Sequence, residues 1–170
     1  MQENPQQYTE RILAHSKGKD PLRVQSTTPK KLAALTKRLK KNQLTQRPAP
    51  DKWSIAEILA HLADAELVIG YRIRLMLAAN GTPLQAFDQD VWANTFRYSG
   101  RDTKTSLETF RVLRESNVAL LKSVPKTLWG NYGLHQERGK ETVGHTMSLI
   151  AGHDLNHLQQ VEAIAKGSRR

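Results

Sequence analysis

Apolar residues along this chain recur mostly three and four positions apart, the period of helices buried on one face. The clearest run follows Ser54. Ile55, Ile58, Leu59, Leu62, Ile69, Ile73, Met76 and Leu77 fall on one stripe at about 100° per residue. The run has its own start signal. Ser54-Ile55-Ala56-Glu57 is a capping box, in which the serine hydroxyl and the glutamate carboxylate satisfy free backbone N–H groups reciprocally. Trp53 and Ile58 stand where a hydrophobic staple requires them, and Asn80-Gly81 with Pro83 stops the helix.

Four other segments carry helical patterning. Residues 5–16 predict a short helix with Tyr8, Ile12 and Leu13, ended by Gly18 and Pro21. Thr28-Pro29 reads as an N-cap with proline at the first helical position, followed by Leu32, Leu35 and Leu39, and the helix ends before Arg47-Pro48-Ala49-Pro50. Thr105-Ser106-Leu107-Glu108 reads as a second capping box ahead of Phe110, Leu113, Leu120 and Leu121, with Pro125 closing the run. The last helix runs from about Thr142 to Lys166, with Gly167 as its stop. Residues 82–101 form a longer connection with a short helix near 88–97, and 125–140 read as loop. No segment shows strand-like alternation. The pattern predicts an all-α four-helix bundle with an extra short N-terminal helix and a long connection between its second and third helices. It divides the chain into an N-terminal extension, 1–27, and a bundle domain, 28–170.

Composition adds constraints. The chain has 170 residues, 38% of them hydrophobic, enough for one compact domain. With no cysteine, disulfides, thiolate metal sites and cysteine nucleophiles are excluded. No apolar run approaches the ~20 residues needed to span a bilayer. The opening MQENPQQYTE has neither a basic nor an apolar segment of the kind a secretory signal needs. A cytoplasmic protein with no membrane partner is expected. The net charge is +10, and residues 17–52 hold nearly all of the excess, with eleven Lys/Arg against Asp20 and Asp51. Such a stripe attracts polyanions. It has few aromatics and no helix-turn-helix, so a solvated helix face is expected and nucleic acid is not.

The candidate chemistry lies in the histidines. His153 and His157 are four apart on one predicted helix, offset by about 40° and about 6 Å, so both imidazoles can reach one ion. His145, about 12 Å further back along the axis, cannot share an ion bound at about 2.0–2.1 Å. A third ligand must come from elsewhere. His61, on the flank of the stripe behind Ser54 and beside Ala60 and Ala65, is the strongest candidate; His15 and His135 rank behind it. Glu66 falls near the middle of the same stripe, where a buried carboxylate needs a partner such as Arg or Tyr.

The stretch Trp53-Ser54-Ile55-Ala56-Glu57-Ile58-Leu59-Ala60-His61-Leu62-Ala63-Asp64-Ala65-Glu66 resembles the N-terminal motif of the DinB-like superfamily, of DinB/YfiT type. His153-Asp154-Leu155-Asn156-His157-Leu158-Gln159-Gln160 is similar to its C-terminal motif, and Phe87-Asp88-Gln89-Asp90-Val91-Trp92 to the middle region of some members. The likeness spans about residues 28–166. It implies one divalent metal ion, zinc or nickel, held by three histidines that match His61, His153 and His157. It also implies a metal-dependent hydrolase or a thiol-dependent transferase acting on a small molecule.

Three histidines leave positions open on a metal for water or substrate. Asp154 and Gln160 are candidates to orient the ligands, as is Glu57 one turn before His61. Asp88, Asp90 and Glu57 are the candidate general bases. No nucleophile-elbow serine and no phosphate-binding glycine loop is present. A non-catalytic metal-binding stress or interaction protein and a basic nucleic-acid-binding bundle are the alternatives. A homodimer is expected by analogy with other bundles.

Overall fold

In the computed structural model, residues 4–167 are described; the outermost residues of the two expected divisions, 1–3 and 168–170, lie outside them. The helices are α1 (Pro5–Ser16), α2 (Pro21–Thr36), α3 (Lys41–Thr45), α4 (Ile55–Ala78), α5 (Gln89–Thr95), α6 (Thr103–Ser123) and α7 (Val143–Gly167). Three short strands, β1 (Thr82–Leu84), β2 (Tyr132–His135) and β3 (Gly139–Thr142), form one sheet in that order. β1 pairs parallel with β2, and β2 and β3 form an antiparallel hairpin. Segments of three or four residues are too short to show a period of two, so the 125–140 region read as loop.

The long helices α2, α4, α6 and α7 form the bundle. Each packs on two others, in the ring order α4–α6–α2–α7 and back to α4. The first and third connections, α2 to α4 and α6 to α7, therefore cross the ring diagonally, and the long 80–105 connection between them joins neighbours. α1 lies along α7 outside the ring.

α4 begins as its sequence dictates: the Ser54 hydroxyl accepts from the Glu57 N–H, and the Glu57 carboxylate accepts from the Ser54 N–H. Two other starts differ from expectation. α2 begins at Pro21 behind the N-cap Asp20, which accepts from the N–H groups of Leu22 and Arg23, so Pro29 lies inside the helix. Asp20-Pro21 and Thr28-Pro29 are equally good start signals, and the helix takes the earlier one. α6 is capped by Asp102, which accepts from the Thr105 N–H and hydroxyl, while Glu108 pairs with Arg111 instead of closing a capping box.

Two apolar clusters fill the bundle. One gathers Leu32, Ile58, Leu59, Leu62, Phe110 and Val161; the other gathers Ile69, Ile73, Met76, Leu121, Met147 and Ile150. Between them in each chain segment come Gln25, Glu66, Arg114, Asn117 and Asp154, all buried and polar. Among the described residues no helix is long and apolar enough to cross a membrane.

Candidate metal centre

His61 comes from the second turn of α4, and His153 and His157 come from successive turns of α7. All three are buried. Their ring centroids stand 4.4–5.1 Å apart, and their nitrogens converge on one point. His153 Nε2 is 3.0 Å from His61 Nε2 and 3.1 Å from His157 Nε2. Among the described residues this is the one group of three histidine or acidic side chains whose ligand atoms come together closely enough for a shared ion.

Burial dominates the electrostatics of the triad. It pushes the pKa of His61 and His153 well below 6.5, and mutual repulsion between the imidazoles pushes the same way. For His157, burial brings the value down to about 4, opposed by the Gln160 contact and helped by Arg11. At neutral pH the three rings are therefore uncharged, the state in which imidazole binds a metal.

The tautomer of one ring is fixed. Gln160 Oε1 lies 2.8 Å from His157 Nδ1, so Nδ1–H donates to it and Nε2 is left with a lone pair directed at the other two rings. Three Nε2 atoms this close cannot all carry protons, and three lone pairs at this distance repel unless a cation lies among them. Nitrogens bound at about 2.0–2.1 Å to a common ion stand roughly 3.0–3.4 Å apart. The donor set fits a small divalent cation.

Through His157 the triad borders a cavity of about 750 Å³. Besides His157 and Gln160, its lining includes Tyr8 and Arg11 of α1, Trp53 and Asp90. Trp53 also packs against His61, with ring centroids 4.9 Å apart. The volume is within the ~300–1,000 Å³ typical of small-molecule sites.

The family model described as the DinB superfamily matches residues 26–161. The chain belongs to the DinB superfamily. Two curated relatives of this DinB-superfamily chain carry the name "Putative metal-dependent hydrolase". One, from Oceanobacillus iheyensis, is 23% identical over 67% of this chain and 66% of its own length, just under two thirds. The other, from Halalkalibacterium halodurans, is 23% identical over 81% of this chain and 80% of its own. The solved structure of YfiT from Bacillus subtilis, described as a probable metal-dependent hydrolase with an unusual four-helix bundle topology, superposes with a TM-score of 0.81. It covers 97% of this chain and 89% of its own at 18% identity, a likeness of fold.

The other candidates divide. His145 stays out of the cluster, its N–H held by the Thr142 hydroxyl at the start of α7. His15 belongs to α1 and His135 to β2. Asp154 is displaced from its expected role: it is fully buried on the far side of α7 and receives the Arg114 guanidinium instead of a histidine N–H. Adjacent helical residues point about 100° apart, so Asp154 cannot face where His153 faces. Glu57 is not an available base. Burial raises its pKa, but hydrogen bonds from Arg47 and Ser54 outweigh burial and hold the carboxyl below its usual range. Asp88 is spent on capping α5, where it accepts from the N–H groups of Asp90 and Val91. Of the three candidate bases, Asp90 is the one on the cavity wall.

That Tyr8 and Arg11 line the site is not predicted by the sequence, because nothing local says that α1 folds onto α7. The signal was Gly152. A Cβ there would come within 2.0 Å of the Ile12 carbonyl oxygen, so this glycine lets the α1 backbone rest against α7 one residue from His153.

Proposed function

We propose that this chain is a metal-dependent hydrolase in which His61, His153 and His157 hold one zinc or nickel ion and a small-molecule substrate enters the adjoining cavity. The observation that carries the reading is the convergence of three buried, uncharged Nε2 atoms at 3.0–3.1 Å beside an open cavity. A divalent ion with three protein ligands supplies Lewis acidity to a carbonyl or a water. The chain supplies the rest. Gln160 keeps the His157 lone pair turned inward, and the Trp53 ring shields the His61 side of the site from solvent. Asp90 is our choice for the proton acceptor, since Glu57 and Asp88 are engaged elsewhere.

Elemental analysis of the untagged protein tests this directly. About one zinc or nickel per chain is expected, with loss in the His61→Ala/His153→Ala double variant. A panel of small ester and amide substrates is then screened, with turnover expected to vanish on chelation and return on refilling. A wild-type chain that holds no metal even after incubation with zinc or nickel overturns the reading.

A further inference from the structure

α4 and α7 carry the three histidines, yet most of the packing of α4 is on α6 and most of that of α7 is on α1 and α2. The separation of His61 from the other two is therefore set largely through intermediaries. One side chain of α6 reaches α4, α7 and α2 together. Arg114 of α6 is almost completely buried. Its Nη2 lies 2.8 Å from Glu66 Oε2 of α4 and donates at 3.0 Å to Asp154 Oδ1 of α7, and Nη1 donates to Asp154 Oδ2. Nη1 also donates to the Gln25 carbonyl of α2, at 3.2 Å.

That last acceptor is left open by a proline inside α2. Pro29 has no N–H, so the carbonyl four residues earlier in α2, that of Gln25, has no helical donor. Arg114 fills the vacancy. The Gln25 side chain meanwhile donates to the Met147 carbonyl of α7, at 2.8 Å. Asn117 completes the set: its Nδ2 donates to Glu66 Oε1 at 2.8 Å, and its amide rests on Gly70 of α4, closer than any Cβ would permit.

Both carboxylates flank the metal-site residues. Asp154 follows His153 directly, and Glu66 lies five residues beyond His61. A guanidinium fork donates to two carboxylates in fixed directions, whereas apolar packing between smooth helices permits sliding. We infer that Arg114 is a positioning residue for the metal centre: by clamping Glu66 and Asp154 it fixes the register of α4 against α7, and so the distance of His61 Nε2 from the α7 pair. This rests on the metal-site reading above.

Two variants of the full chain test it. The triple variant Glu66→Leu/Arg114→Met/Asp154→Leu replaces the cluster by apolar residues, an exchange that buried ion pairs often tolerate without loss of stability. Arg114→Lys keeps the charge and loses the fork. Cobalt(II) is the probe, read by its visible absorption and by competition with a chelator. The apo proteins are read by imidazole NMR, since rings at 4.4–5.1 Å shift one another's signals. In both variants cobalt affinity is expected to fall about 10- to 100-fold, the range for partners that orient metal ligands. The absorption bands and the apo signals of His61, His153 and His157 should move while helical circular dichroism is retained. Wild-type affinity, bands and imidazole signals in a folded variant overturn the inference. If the triple variant does not fold, Arg114→Lys decides between the same two results. A wild-type chain that binds no cobalt refutes the metal-site reading instead, and the apo imidazole signals still decide whether Arg114 positions the rings.

Discussion

Gly152→Ala sets two effects of opposite sign against each other. Within a helix, alanine is favoured over glycine by about 1 kcal/mol. On that ground the substitution, ten residues into α7, should stabilise. The tertiary structure says otherwise. The new methyl group would lie 2.0 Å from the Ile12 carbonyl oxygen, 2.8 Å from its carbon and 3.2 Å from its Cγ2. Two of these contacts are with backbone, which cannot swing aside as a side chain does. α1 must therefore lift by more than an ångström. Ile12 is completely buried, and losing that burial costs roughly 1.5–3 kcal/mol. The Ser16 hydroxyl also donates to the Ser148 carbonyl at 2.9 Å, a bond worth about 1 kcal/mol. Against the gain in propensity, a net loss of about 1–3 kcal/mol is expected. Urea unfolding followed by circular dichroism measures it. Limited trypsin digestion gives a local readout, because Lys17 and Lys19 in the exposed turn after α1 should be cut faster once α1 lifts. A variant as stable as the parent or more so, with unchanged digestion, would refute the argument and show that α1 does not rest on α7 at this point.

Two further results follow from the site. The folded pKa of each triad histidine lies below its unfolded value near 6.5, so below that pH the unfolded chain takes up protons first. For His157 the contribution to stability, roughly 3 kcal/mol, is complete above pH 6.5 and is lost as the pH falls toward about 4, and those of His61 and His153 are lost in the same direction below pH 6.5. Urea midpoints of the apo protein should fall across this window and fall less steeply in His157→Gln, and equal slopes would count against buried neutral imidazoles. Glu57→Gln keeps the shape of the α4 cap but removes the charge that Arg47 meets. A loss of about 1–2 kcal/mol with unchanged metal content is expected from unfolding and elemental analysis. Loss of metal from the folded variant would instead place Glu57 in the centre.

Much of the site was legible in the sequence because its signals are local. The Ser54–Glu57 box fixes where α4 starts, and so the phase at which His61 leaves it. An i, i+4 spacing places His153 and His157 on one face wherever the helix goes. These features depend on one or two helical turns, and a linear sequence contains each of them whole. The same locality explains the misreadings. Asp20-Pro21 and Thr28-Pro29 are equivalent as start signals, and only the packing of Gln25 and Thr28 into the bundle makes the second proline internal. Asp154 beside His153 looked like a partner for it until the helix placed the two on different faces. What tertiary structure alone decided is the relation between α4 and α7. His61 and His153 are 92 residues apart, and their nitrogens meet at 3.0 Å. No periodicity specifies such a distance. It depends on α6 and α2 as spacers, on α1 settling against Gly152, and on one arginine whose four acceptor oxygens come from three other helices. The sequence determined which donors exist and which way their own helices turn them; the packing of the bundle determined that three of them share one point.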